Sequence, residues 1–245
     1  MAFGGGGNDD ILGGAGADML YGDGGSDRIF GDEGDDLIDA GTGNDHVQGG
    51  AGNDTILAMA GDGDDTYWGD GMSASCGDGV DTLDMSAITA NITADLGTGA
   101  GGRGSATSSQ SGSDALWGIE NIVTGSGNDV ITASSAANVI DAGTGNDTFR
   151  FLSAADADGD TIMGFQPGDR IDLSGIDADI GSANHQFTLV TGSGFNAAGA
   201  LRVTHESWQG QDYTLVEGNT NGGNDAEFTV KIKGHHTLTA SDFDL

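Results

Sequence analysis

The chain has 245 residues, enough for one or two domains, with 39 acidic against seven basic side chains and a formal net charge of −32. A surface of that sign repels nucleic acid and anionic membrane, both of which need a basic face. Cys76 is the only cysteine, so no intramolecular disulfide can form, and no apolar run is long enough to span a membrane.

Residues 4–57 are six consecutive nine-residue units: GGGGNDDIL, GGAGADMLY, GDGGSDRIF, GDEGDDLID, AGTGNDHVQ and GGAGNDTIL. Each has Gly at its fourth place, Asp at its sixth and an aliphatic at its eighth. The first six places are Gly, acidic or small and suit tight turns, some with positive φ. The last three make a minimal strand whose middle residue points inward: Ile11, Leu20, Ile29, Ile38, Val47 and Ile56. One aliphatic per unit buries too little alone, so the units must stack, strand on strand, about 4.8 Å apart.

Two turns and two strands close one coil of eighteen residues, which aligns the sixth-place Asps of alternate units. Asp9, Asp27 and Asp45 then line one edge, and Asp18, Asp36 and Asp54 the other. The second-place Asp23 and Asp32 join the candidate ligands. Carboxylates stacked at strand spacing repel, so the coil closes only with cations between turns. Oxygen-only ligands, carboxylates plus turn carbonyls, suit Ca²⁺ rather than Zn²⁺.

The pattern resumes after short insertions, at 60–68 with Asp65 and inward Tyr67, and at 76–84 with Asp81 and Leu83. Cys76 has no cationic neighbour to activate it and reads as an inert thiol. Residues 85–121 leave the pattern: 88–96 is β-prone, 97–114 reads as a mobile Gly/Ser/Thr loop, and Trp117, Ile119 and Ile122 read as core. A second block follows, with Asp129 and Asp147 at the sixth place of its outer units. Its middle unit, ASSAANVID, has Asn138 there and no glycine, which makes it a stacking turn with a poor or absent metal site. Eight turns in the first block give about six sites, and both blocks together roughly six to nine.

Past Phe151 the period ends, and strand-like runs at 187–191, 200–205, 212–216 and 226–233 predict a meander that caps the roll. Asp158-Gly159-Asp160 could hold a further ion outside the roll, and 219–225 a weaker one. The expected fold is all-β, a parallel β-roll with a C-terminal β-strand cap. Its segments are a first repeat block at 1–84, a strand-and-loop insertion at 85–121, a second block at 122–151 and the cap at 152–245.

The tandem GGxGxD units resemble the RTX family of calcium-binding β-rolls found in bacterial proteins exported by type I secretion. Residues 153–177, SAADADGDTIMGFQPGDRIDLSGID, are similar to the segment after the roll in the C-terminal domain of serralysin-type proteins. The ending HHTLTASDFDL resembles the family's carboxy-terminal tail, except that Asp244 stands where an apolar residue is usual. The resemblance implies a secreted, extracellular protein whose partners are calcium ions and the type I secretion apparatus. An uncleaved C-terminal export signal is also implied, in keeping with an opening, MAFGGGG, that has no signal-peptide pattern.

Other chemistries find little support. There is no H-E-x-x-H, G-x-S-x-G or G-x-x-x-x-G-K-[ST] motif, so a non-catalytic module is expected. His46 reads as solvated, and adjacent His235 and His236 would point to opposite faces of a strand. Arg202, Lys231 and Lys233 make the cap the least acidic region, and the resemblance to RTX modules of alginate-modifying enzymes allows an alternative role as a polysaccharide-binding or adhesive accessory.

Overall fold

A computed structural model describes residues 1–71, 79–97, 102–181, 185–192, 194–195 and 197–245. Cys76, and with it the expectation of an inert thiol, lies outside the described residues.

Each unit forms a strand only where an inward aliphatic rewards it, and successive units alternate between two facing sheets. The first sheet stacks Ala2–Gly6, Met19–Gly24, Leu37–Asp39, Thr55–Leu57, Thr82–Asp84, Asn121–Val123, Val139–Asp141 and Thr161–Ile162, all parallel. The second begins with Asp10–Ala15, Arg28–Glu33, His46–Ala51 and Thr66–Asp70, also parallel. Register follows the eighteen-residue coil: Leu20 pairs with Ile38 and Ile38 with Ile56. On the opposite sheet Ile11, Ile29, Val47 and Tyr67 align. Leu20, Ile29, Ile38, Val47, Ile56, Tyr67 and Leu83 are all fully buried. Each such aliphatic stabilises the roll by about 1.5–3 kcal/mol.

The two repeat blocks share these sheets without a break. In the first, Thr82–Asp84 pairs directly with Asn121–Val123. In the second, three strands fill the place of one: Gly112–Trp117 runs parallel to Thr66–Asp70, Ile92–Asp95 runs parallel to Val130–Thr132, and Arg103–Ser108 joins them antiparallel. The described part of the loop expected at 97–114 is therefore largely strand. Its small side chains gave no hydrophobic alternation to read, yet Gly104 and Ala106 alternate inward between exposed Arg103 and Ser105. Trp117 is also corrected. Leu116 occupies the inward place, and Trp117 stands on the outer face, stacked on Trp68 with ring centroids 4.5 Å apart. Ile119 and Ile122 are buried as expected.

Coil pairing also outlasts the nonapeptide. Val130–Thr132 pairs with Thr148–Arg150, which pairs with Arg170–Asp172, and that strand takes the C-terminal Phe243–Asp244 as its parallel neighbour. Arg170 secures this last strand, donating from Nε to Asp244 Oδ2 at 2.9 Å and from Nη1 to Ser241 O at 3.0 Å. Asp244 thus has a local partner in place of the apolar contact expected there. The meander Ala200–Trp208, Gln211–Asn219 and Phe228–Lys233 is antiparallel and docks through its last strand on Thr161–Ile162. Helix among the described residues is confined to Ala154–Ala157 and a 3-10 turn at Ala240–Asp242. No helix among them is long and apolar enough to cross a membrane.

Candidate metal centre

Stacking the coils builds two columns of sixth-place carboxylates. Along one edge, the Asp9 N–H donates to Asp27 Oδ1, Asp27 to Asp45, Asp45 to Asp65, and Asp65 to Asp114, at 2.7–3.0 Å. The column resumes with Asp129 donating to Asp147 and Asp147 to Asp169, at 2.8 and 3.0 Å. Along the other edge Asp18 donates to Asp36, Asp36 to Asp54, and Asp54 to Asp81, each at 2.8 Å. Asp81 then donates to Glu120 Oε2 at 2.9 Å, and the Asn138 N–H to Asp160 Oδ1 at 2.7 Å.

Beyond Asp9 and Asp18, at the start of the columns, each Asp therefore spends one oxygen on a neighbouring coil's backbone. The second oxygen is buried and accepts no hydrogen bond at Asp9, Asp27, Asp36, Asp45, Asp54, Asp81, Asp114, Asp129, Asp147 and Asp160. A buried acceptor left unsatisfied costs about 1–3 kcal/mol, more when charged, so a row of them calls for a cation.

What lies beside these oxygens is more oxygen. A Cβ built on Gly4 would stand 2.8 Å from Gly22 O and 3.0 Å from Asp9 Oδ2, and one on Gly13 would stand 2.7 Å from Gly31 O and 3.2 Å from Asp18 Oδ2. Gly22, Gly31, Gly49 and Gly69 border the same pairing, a carboxylate oxygen and the next coil's carbonyl. Among the described residues no three His, Cys, Asp or Glu side chains converge on one point, so each site must draw on main-chain carbonyls. That donor set fits a hard cation of high coordination number, which is Ca²⁺ chemistry.

The electrostatics agree. Burial first, then neighbouring Asps, pushes the Asp45, Asp54 and Asp147 carboxyls up to about 6. The same causes take Asp81, Asp114 and Asp160 to about 8. Asp65 differs: its Oδ2 accepts the Tyr67 O–H at 2.7 Å, so the one aromatic inward residue of the first block supplies a donor to its own column.

Of the sequence-derived candidates, Asp9, Asp18, Asp27, Asp36, Asp45, Asp54, Asp65, Asp81, Asp129 and Asp147 stand in the columns. Asp23 and Asp32 do not. Both are exposed at φ of 68° and 75°, and their main chain packs against Gly41 and Gly50 of the next coil. Four further column residues emerge: Asp114, Glu120, Asp160 and Asp169. All four are acids two places before an aliphatic, in DAL, ENI, DTI and DRI, a signal still readable where the glycines are lost. Asp160, expected at a site outside the roll, is thus inside it.

The remaining candidates are occupied locally. The Asn219 amide closes its own loop on Gly223 O and Asp225 O at 3.1 and 2.7 Å. His205 and His235 stack at 3.8 Å with parallel rings, which keeps their nitrogens from converging on one ion, while His236 turns to Phe165. In the cap, Arg202 pairs with Glu217 at 2.8 Å and Lys231 with Glu206 at 3.5 Å, so that basic patch is largely neutralised.

The family described as Peptidase M10 serralysin C terminal matches residues 72–245. The chain belongs to it. The RTX calcium-binding nonapeptide repeat (4 copies) matches residues 3–38, 30–63 and 39–71, so the serralysin-type domain is joined to a calcium-binding repeat module. No curated protein is significantly similar in sequence. Among solved structures, the AlgE6R3 subunit from the Azotobacter vinelandii mannuronan C5-epimerase is 18% identical and aligns over 97% of this chain and 77% of its own, with a TM-score of 0.22.

Proposed function

We propose that the chain is a non-catalytic calcium-binding module that folds as it takes up several Ca²⁺ ions after export by type I secretion. The observation that carries this reading is the repeated pair of a buried, unpartnered Asp Oδ2 and a carbonyl of the next coil. Among the described residues nine Asp N–H to Asp Oδ1 steps link adjacent coils, and one ion beside each gives the upper end of the expected six to nine.

Without cations the stacked carboxylates repel, and the chain is open at low cytosolic calcium, a form suited to passage through a narrow exporter. Outside, sites of about 10⁻⁴–10⁻³ M affinity fill, and binding free energy becomes folding free energy. The column Asps supply charge, the turn glycines supply carbonyls, and the eighth-place aliphatics hold the coils in register. Serralysin-type C-terminal domains accompany type I secretion, which supports an extracellular location. Equilibrium dialysis with metal analysis tests the reading: six to nine Ca²⁺ per chain are expected, with Mg²⁺ unable to displace them. One ion or none would overturn it.

A further inference from the structure

The columns lose their aspartates on two adjacent coils. On one edge the sixth place is taken by Ile92, whose N–H donates to Asp129 Oδ1 at 2.8 Å and which brings no carboxylate. On the other it is taken by Asn138, one coil from Glu120. At both places a side-chain amide closes the turn. The Gln110 Oε1 accepts the N–H groups of Thr89 and Ala90 at 2.7 and 2.9 Å, and its Nε2 donates to Thr89 Oγ1 at 3.1 Å. Asn138 is fully buried; its Nδ2 donates to Glu120 O at 2.7 Å and Ser134 Oγ at 3.0 Å, and its Oδ1 accepts the Ser134 N–H at 2.8 Å.

Donor chemistry separates these turns from the others. An Asp at the sixth place presents a bare oxygen to a neighbouring carbonyl, an arrangement that only a cation or a proton can reconcile. Asn138 presents N–H to that carbonyl and needs neither.

We propose that the turns closed by Gln110 and Asn138 form a cation-free belt that divides the roll into two separately loaded calcium ladders. The first holds the steps from Asp9 to Asp114 and from Asp18 to Asp81, and the second those from Asp129 to Asp169. Gln110 and Asn138 are then the residues that set where calcium does not bind. The inference rests on the calcium reading, which places ions at the other steps.

Anomalous diffraction from crystals of the Ca²⁺-loaded chain, read alongside an amide-resolved calcium titration, tests it. Peaks are expected beside the Asp-to-Asp steps and none within the turns at 88–92 and 134–138; a peak in either turn overturns the belt. No peak anywhere would instead remove the calcium reading beneath it. In the titration, the amides of Asp27, Asp45 and Asp54 are expected to share one midpoint, and those of Asp129 and Asp147 another, at least threefold apart. A single common midpoint refutes separate loading.

Discussion

Replacing Asp45 by Asn isolates the metal contribution of one carboxylate. The Asn Oδ1 can still accept the Asp27 N–H, a bond of 2.7 Å, so the coil-to-coil hydrogen bond survives. What is lost is the Oδ2, buried and without a hydrogen-bond partner. At about 5 mM calcium, a site of about 10⁻⁴–10⁻³ M stabilises the loaded roll by roughly 1–2 kcal/mol. Asp45→Asn should therefore lower stability by about that amount in calcium. The loss should shrink as calcium falls towards the lowest concentration that keeps the roll folded, because the empty site keeps its coil-to-coil bond and sheds a charge that burial and the neighbouring Asp65 and Asp27 disfavour. Urea unfolding followed by far-UV circular dichroism at high and at barely saturating calcium reads the difference. Equal loss at both would mean that Asp45 serves the fold only through hydrogen bonding, and the metal assignment of its column would fail.

Three further outcomes follow from the same geometry. Tyr67→Phe removes the donor to Asp65 Oδ2; it should cost about 1–3 kcal/mol at barely saturating calcium and less at high calcium, and an equal cost at both would show that no ion can replace the hydroxyl. Gly43→Ala puts a Cβ onto Gly25 O at a φ of 141°, so the calcium-induced β signal should be weakened or absent; a signal matching the parent's would contradict the coil packing. The carboxyls raised to about 6 and about 8 fold more readily when protonated, so the metal-free roll gains stability as pH falls from 8 towards 4 and loses it as pH rises through those values. The calcium needed for half-folding should therefore fall over the same fall in pH, and a pH-independent midpoint would contradict this coupling.

Much of this was legible because a nine-residue period leaves little freedom. Once Ile11, Leu20 and Ile29 point inward, their Asps two places earlier are carried to the two edges. The reading weakened where small residues replaced the pattern. Arg103–Ser108 and Gly112–Trp117 pair fully in the sheet, but Gly, Ser and Thr gave no alternation from which to see it. Trp117 was misplaced by one residue, and in a strand one residue is the whole difference between faces. Asp160 and Asp169 were hidden for another reason: the spacing widens from eighteen to twenty-two residues, which pairing across the sheet absorbs and a fixed period does not.

The most direct test of the central claim is a Ca²⁺ titration of the metal-free chain by far-UV circular dichroism, with Mg²⁺ as control. A cooperative passage from coil to β-structure is expected at high micromolar to millimolar calcium, and no such passage with Mg²⁺. A chain already β-folded in chelator at neutral pH and indifferent to calcium would contradict it, because the carboxylate columns would then stand without the ions proposed to hold them together.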